Sequence, residues 1–525
     1  MPTSAIPLPP PSGATPGILR LRSTRPGRAG SERRIAWLFG LVAALVSFAG
    51  SWIPSFWGDE AASVLSAERP LPSLFRMLGH VDAVHGAYYL GLHAWIDVFG
   101  ASPLSVRLPS ALVTGVLTAG VYFLVRELRT RRFAVAAAVV VAILPRVTYF
   151  GGEARSYAFG AAVAVWAVFV LVRLVEGRAT GRRWWVLYGV LMAAGVYTFL
   201  YFGLLVVVHA VVLLQARASR QTFRAWAVAS GAAVVAASPV LVFGLSQHGQ
   251  VSFLARSRAS SVPSVLISTW FGTVWFAVLG WGLIVVAVGF LVADVVRDRR
   301  VASAGGGGAG RPVSLTVLAL AWLLIPLGIL LAGNLVVADF TPRYVSYSAP
   351  AAAILLATGV VRLAGALTRT RREALVLAGA LLAVVAVAAV PGYVGQRTPY
   401  AKHDTGWQSV SRVVGAHAAP GDAVVFDEST PTWMRPRLAL TTYPDGFRGL
   451  RDVTLETPFA EADWWSSTAY TVDRAVALGR FDGVTRVWVV EARTDDYGLE
   501  PLARIGFERV AWYPAHGATV VELRR

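Results

Sequence analysis

WWVLYGVLMAAGVYTFLYFGLLVVVHAVVLLQ, residues 184–215, is one long apolar stretch, and how it divides decides the fold. A membrane-spanning helix needs about 20 apolar residues. On that criterion there are eleven candidate spans, near 35–54, 104–125, 133–150, 156–175, 184–198, 199–215, 225–246, 270–294, 313–337, 345–361 and 374–394. Read as a single span, 184–215 inverts everything downstream. Split at Tyr197–Phe202, it gives two spans and an odd total.

Charge chooses between these readings, because inner loops of membrane proteins carry an excess of Lys and Arg. With eleven spans and an inner N-terminus, the inner segments are 1–34, 126–132, 173–183, 216–224, 295–312 and 362–373. They hold 25 arginines, none of them lacks one, and the outward loops before residue 397 hold 8. The split reading is the one this distribution supports. It expects a bacterial plasma-membrane protein with its N-terminus in the cytoplasm.

The composition agrees. Of 525 residues, 55% are hydrophobic and only 15% charged, against about 25% charged in an ordinary soluble domain. This excludes a disordered chain and argues against a soluble one. The net charge of +18 resides in residues 1–396, at +20, most of it on inner segments as a topology signal. The arginines alternate between spans and form no stripe, which argues against nucleic acid. There is no GxxxxGK[ST] phosphate loop, which argues against ATP-driven transport within this chain. With no cysteine, disulfides, thiolate metal sites and a Cys nucleophile are excluded. Lys402 is the only lysine, which reads as GC-rich codon usage and not as chemistry.

Residues 1–34, rich in Pro, Ser and Arg, read as a disordered tail. Residues 302–310, ASAGGGGAG, read as a flexible inner linker. After Val394 the balance changes to 15 basic and 17 acidic residues over 397–525. Strand-like runs appear there, Ala423–Phe426 and Val487–Val490, the first after the turn signal Pro420-Gly421-Asp422. This reads as a soluble α/β domain, which an odd number of spans places outside the membrane.

Candidate chemistry collects on the outer face, because the span interiors carry almost no ionisable group; His209 reads as structural. The carboxylates of that face are Asp59, Glu60, Glu68, Asp82, Asp97, Glu153 and Asp339. The first five share one loop, 54–103, whose aromatics and leucines at helical spacing suggest short helices at the membrane surface. Asp59-Glu60 suits acid–base work or cation binding at an interface, or simply begins a solvated loop. His85 with Tyr88 and Tyr89 suits phosphate or sugar hydroxyls, a metal shared with His80, or an interfacial aromatic belt. Glu153-Ala-Arg155-Ser-Tyr157 can clamp a phosphate or hold a loop. Arg343 in Pro342-Arg343-Tyr344 suits a lipid phosphate or a snorkelling role.

In this order, and on one face, these motifs resemble the lipid-dependent glycosyltransferases of the GT-C class. They are Gly58-Asp59-Glu60, His85–Trp95, Ser105-Val-Arg107-Leu-Pro109-Ser110, Glu153–Tyr157 and Pro342-Arg343-Tyr344. The type is that of protein O-mannosyltransferases and lipid A aminoarabinose transferases, glycosyltransferase family 39 in the broad sense. The resemblance covers about residues 35–395. It implies a helical polytopic fold with an active site at the outer surface, carried by loop 54–103. It implies a polyprenyl-phosphate sugar donor and no nucleotide partner, mannose being favoured, and a protein, lipid or glycan acceptor. The catalytic aspartate of the class falls on Asp59, with Glu60 as its neighbour. His85, Tyr88, Tyr89, Glu153, Arg155, Tyr157, Arg343 and Tyr344 are the expected donor and phosphate contacts. Some relatives use a divalent metal and others none. Two other classes fit the same spans: a lipid or glycan flippase, and a non-catalytic scaffold.

Overall fold

The computed structural model describes residues 26–250, 259–303, 313–338, 340–492 and 496–525. Asp339 and most of the glycine-rich linker lie outside them. The chain divides after Ile35, and the bundle and sheet belong to the second unit, Ala36–Arg525.

Helix α1 spans Pro26–Phe48, so residues 26–34, expected in the tail, belong to a helix. The outer segment then folds into three short helices, α2 (Gly58–Ala67), α3 (Leu71–Leu78) and α4 (Gly86–Phe99). Next come α5 (Pro103–Leu128), α6 (Arg131–Ile143), α7 (Pro145–Gly151) and α8 (Tyr157–Val175). Ser102 caps α5 by accepting from the Ser105 amide, with Pro103 at the first helical position. Pro145 has no amide hydrogen to continue the ladder, and the chain bends 58° between α6 and α7.

The stretch at 184–215 does break. Helix α9 (Arg182–Thr198) stops, Phe199 is extended, a 3-10 turn covers Leu200–Leu204, and α10 (Leu205–Gln215) follows. Then come α11 (Arg220–Ala236), α12 (Ser238–Ser246), α13 (Val274–Ser303), α14 (Leu315–Gly333), α15 (Ala349–Leu367) and α16 (Arg371–Gly395). Helix α15 is preceded by a 3-10 turn, Pro342–Ser348. All eleven expected stretches fall on helices. Among the described residues, six are long and apolar enough to cross a membrane, or eight if each of two bent pairs counts as one span. The three that fall short have physical reasons: α1 carries Glu32, Arg33 and Arg34 before its apolar run, α9 has only 17 residues and begins with two arginines, and Leu200–Gln215 is shorter still. Helices α8 and α15 occupy the middle of the bundle, whereas α16 is mostly uncovered.

The C-terminal part begins with α17 (Trp407–His417) and builds a mixed five-stranded sheet. Its strands are β1 (Ala423–Phe426), β2 (Arg451–Asp452), β5 (Arg486–Glu491), β6 (Glu508–Ala515) and β7 (Ala518–Arg524), in the order β2-β1-β5-β7-β6. A separate ribbon pairs β3 (Leu455–Thr457) with β4 (Thr468–Ala469). Strand β1 runs parallel to β2 and β5; β7 is antiparallel to β5 and β6. Alternation along β1 sends Ala423 and Val425 to one core and Val424 and Phe426 to another. The second core is continuous with α2 and α4, joining Val424, Phe426, Trp488 and Val490 to Leu65, Leu74, Tyr89 and Leu92. The sheet therefore sits directly on the helices that carry Asp59.

Candidate active site

Helix α2 begins at Gly58, so Asp59 and Glu60 occupy its first turn, where carboxylates are favoured by the helix dipole. Successive residues on a helix point about 100° apart, and the two carboxylates part company. Glu60 turns inward. Its side chain and that of Arg107 are both fully buried and form a bidentate pair. Arg107 also donates to the carbonyls of Ser51 at 2.7 Å and Pro54 at 2.8 Å, and Glu60 accepts from the Ala154 amide at 2.9 Å. Glu60, expected beside Asp59 in the chemistry, is held by Arg107, which also ties down the loop before α2. Arg107 is legible in its motif, but its partner is not.

Asp59 keeps the open side of the site, its mouth: its side chain is about one-fifth exposed, that of Glu60 not at all. Arg343, from the 3-10 turn before α15, donates to its carboxylate. The Arg155 Nη2 lies 3.8 Å from the same oxygen, and Arg155 also donates to the Asp59 carbonyl at 3.2 Å and to Ser63 at 3.1 Å. Burial pushes the Asp59 carboxyl up, but the charges of Arg343, Arg155 and His403 outweigh it and hold the group below the usual carboxylate range.

The aromatic set is brought to the same place. Arg155 donates to Tyr89 at 3.4 Å, and Tyr89 donates to Asp82 at 3.0 Å. His85 Nε2 stands 3.1 Å from Arg155 Nη2. A guanidinium only donates, so Nε2 accepts and the ring is neutral. Burial and the charges of Arg155 and Arg343 depress the His85 pKa well below its ordinary value, in keeping with that state. Tyr88 is buried edge-on against Phe159, Tyr157 packs on Phe199, and Tyr344 lies over Tyr201 and Phe199. These three pack among other aromatic rings. His80 lies apart, its ring against the Arg76 carbonyl.

Glu153 is buried, accepts from the Trp57 indole at 3.0 Å, and has Lys402 Nζ 3.7 Å away. Lys402, which in the sequence reads as codon bias, is almost fully buried and also lies 3.9 Å over the Tyr149 ring. The neighbouring His403 stacks on Trp57 at 4.1 Å. His403 and Asp404 both take left-handed backbone, an unfavourable conformation for a side-chain-bearing residue. This strained segment links α16 to the sheet domain and brings both side chains back to the site. The domain adds Trp433, against which a Cβ on Gly58 would lie 2.7 Å away. Neither contact has a local signal in the sequence.

A divalent metal does not fit. Asp59 is bracketed by two guanidiniums and Glu60 is saturated by a third. Among the described residues no three His, Asp or Glu side chains converge to hold an ion.

Residues 87–243 match the family model of dolichyl-phosphate-mannose-protein mannosyltransferases. No curated protein sequence matches the chain. Among solved structures, ArnT from Cupriavidus metallidurans bound to undecaprenyl phosphate superposes with a TM-score of 0.53 at 14% identity, covering 92% of this chain and 97% of ArnT. Its apo form gives 0.54 at the same identity and coverage. The archaeal oligosaccharyltransferase AglB from Archaeoglobus fulgidus, in complex with an inhibitory peptide and a dolichol-phosphate, gives 0.51 at 11% identity, covering 95% of this chain and 74% of AglB. At such identities the likeness is one of fold. In fold along nearly its whole length, and in sequence over residues 87–243, the chain resembles the GT-C membrane glycosyltransferases of the family 39 type.

Proposed function

We propose that this protein is an integral-membrane glycosyltransferase that moves a sugar from a polyprenyl-phosphate donor to an acceptor hydroxyl at the outer membrane face. The carrying observation is the Asp59 carboxylate between Arg343 and Arg155 at the head of α2. A base and two phosphate-matching cations share one small site. ArnT with undecaprenyl phosphate and AglB with dolichol-phosphate and a peptide support a lipid phosphate donor here. Mannose is the favoured sugar, in line with the matching family. The eleven-span topology, with its arginine bias, has the N-terminus in the cytoplasm and the sheet domain outside a bacterial plasma membrane.

The donor phosphate takes the guanidiniums of Arg343 and Arg155, with His85 and Tyr89 beside it. Sharing those charges relieves Asp59 of the contacts that depress its basicity. Asp59 then accepts the proton of the acceptor hydroxyl. The acceptor oxygen bonds to the anomeric carbon as its bond to the phosphate oxygen breaks, and polyprenyl phosphate leaves, stabilised by the two arginines. One displacement with one base inverts the configuration. A retaining scheme needs a second carboxylate about 5 Å from the first at the reacting carbon, and Glu60 faces Arg107 instead. Glu153 holds Trp57 at the edge of the site.

The test is chemical. Protein in vesicles with a polyprenyl-phosphate sugar and an acceptor extract should release polyprenyl phosphate in step with loss of the sugar-lipid. Movement of intact sugar-lipid across the bilayer without release would make the protein a flippase.

A further inference from the structure

The inner arginines signal topology, yet four of them also meet in space. A cavity of about 640 Å³ opens between the ends of α5, α6, α13 and α15, lined by Arg126, Arg129, Arg132 and Arg362, with Thr130 and Phe290. It is remote from Asp59. Arg107 and Arg126 are nineteen residues apart on α5, about 28 Å at 1.5 Å per residue, which matches a hydrocarbon thickness of about 30 Å. Arg343 and Arg362 repeat this spacing at the two ends of the turn leading into α15 and of α15 itself.

Two of these cations, Arg129 and Arg132, matter most here. Glu127 also lines the cavity, but Arg178 at 3.1 Å and Arg173 at 3.8 Å already engage it. Asp294 pairs with Arg362, which is further held over the Phe290 ring at 5.0 Å. Among the described residues neither Arg129 nor Arg132 has an ion-pair partner. Partial burial and the Arg362 charge pull the Arg129 pKa down, and the Asp294 charge only partly offsets them. The first turn of α6 starts here too. Its N-cap, Thr130, makes no side-chain cap bond, so its hydroxyl and the amides of Arg131 and Arg132 are available to an anion, while the Phe133 amide already donates to the Thr130 carbonyl.

We propose that this cavity seats the phosphate of an anionic membrane lipid in the leaflet opposite the active site. The ligand class follows from the place and the lining. On the proposed topology, the nineteen-residue spacing from the outer arginines puts the cavity at headgroup depth; it carries converging arginines and a helix N-terminus, and includes apolar wall from Phe133, Phe290 and Val361 for the first acyl carbons. A free phosphate would use the charges but leave that wall bare.

Two measurements on the full-length protein decide. In native mass spectrometry with added phosphatidylglycerol, Arg129→Gln/Arg132→Gln should weaken retention of one lipid by about thirtyfold, taking each cation near the surface at its usual worth. Arg182→Gln/Arg183→Gln, with equal charge loss on another inner segment, should not. Equal loss in both variants overturns the proposal. So does displacement of the lipid from wild type by millimolar inorganic phosphate, which would mark a free-anion site. Should the first variant not fold, photoreactive phosphatidylglycerol on wild type is expected to label peptides around residues 126–133 and 362–366; labelling only elsewhere refutes the site.

Discussion

Glu60→Gln separates the two adjacent carboxylates more sharply than any other change. Both members of the Glu60–Arg107 pair are fully buried. The substitution keeps the size of the side chain but turns one acceptor into a donor facing a guanidinium. The Ser51 and Pro54 carbonyls still receive Arg107, so the cation remains in place without its counter-charge. Breaking a buried pair in this way costs about 3–5 kcal/mol. The loss is read as a lower midpoint of thermal aggregation, followed by fluorescence-detected size exclusion in detergent. Arg107→Gln should lose at least as much, because the two carbonyls lose their donor, and the double variant should lose less than the sum. Turnover of folded Glu60→Gln at low temperature should stay within a few-fold of wild type, since Glu60 never faces the mouth. A Glu60→Gln protein as stable as wild type but inactive would refute the reasoning and return Glu60 to the chemistry.

The other expectations rest on the same geometry. Arg343→Gln removes the charge that most lowers the Asp59 pKa, so that pKa rises. The acid limb of kcat/KM, where Asp59 gains its proton and ceases to act as a base, moves to higher pH; an unmoved limb would unlink the two residues. Gly58→Ala places a methyl against Trp433, and should expose the 396–406 segment to limited proteolysis; an unchanged cleavage pattern contradicts the close packing. Lys402→Met strands buried Glu153, whose pKa burial already raises and Lys402 restrains. A loss of about 3 kcal/mol in stability is expected, and it should shrink when Glu153→Gln is combined with it; additive losses would show that the pair is not coupled.

Much of this is legible in the sequence because it is local. Pro420-Gly421-Asp422 marks the entry to β1 to the residue, with Gly421 in the positive-φ region that the turn requires. The aromatics and leucines at helical spacing announce α3 and α4. Tyr197–Phe202 marks the break before α10. The illegible parts are either a local choice between two conformations or a distant contact. Asp59-Glu60 reads as the start of a loop, whereas the chain turns helical at Gly58, and that alone decides which carboxylate sees the mouth. Strands β6 and β7 escape notice because their alternation is diluted by charged edge residues. Lys402 and His403 reach Glu153 and Trp57 across more than 240 residues of chain. The one signal is that a chain of arginines keeps a single lysine.

The central claim rests on Asp59 as the base. Asp59→Asn keeps the size of the side chain and removes the charge. Purified full-length protein in vesicles with a radiolabelled polyprenyl-phosphate sugar should bind donor through Arg343 and Arg155 yet transfer at least about a hundredfold more slowly, the usual worth of a positioned base. Transfer by folded Asp59→Asn at the wild-type rate would contradict the account.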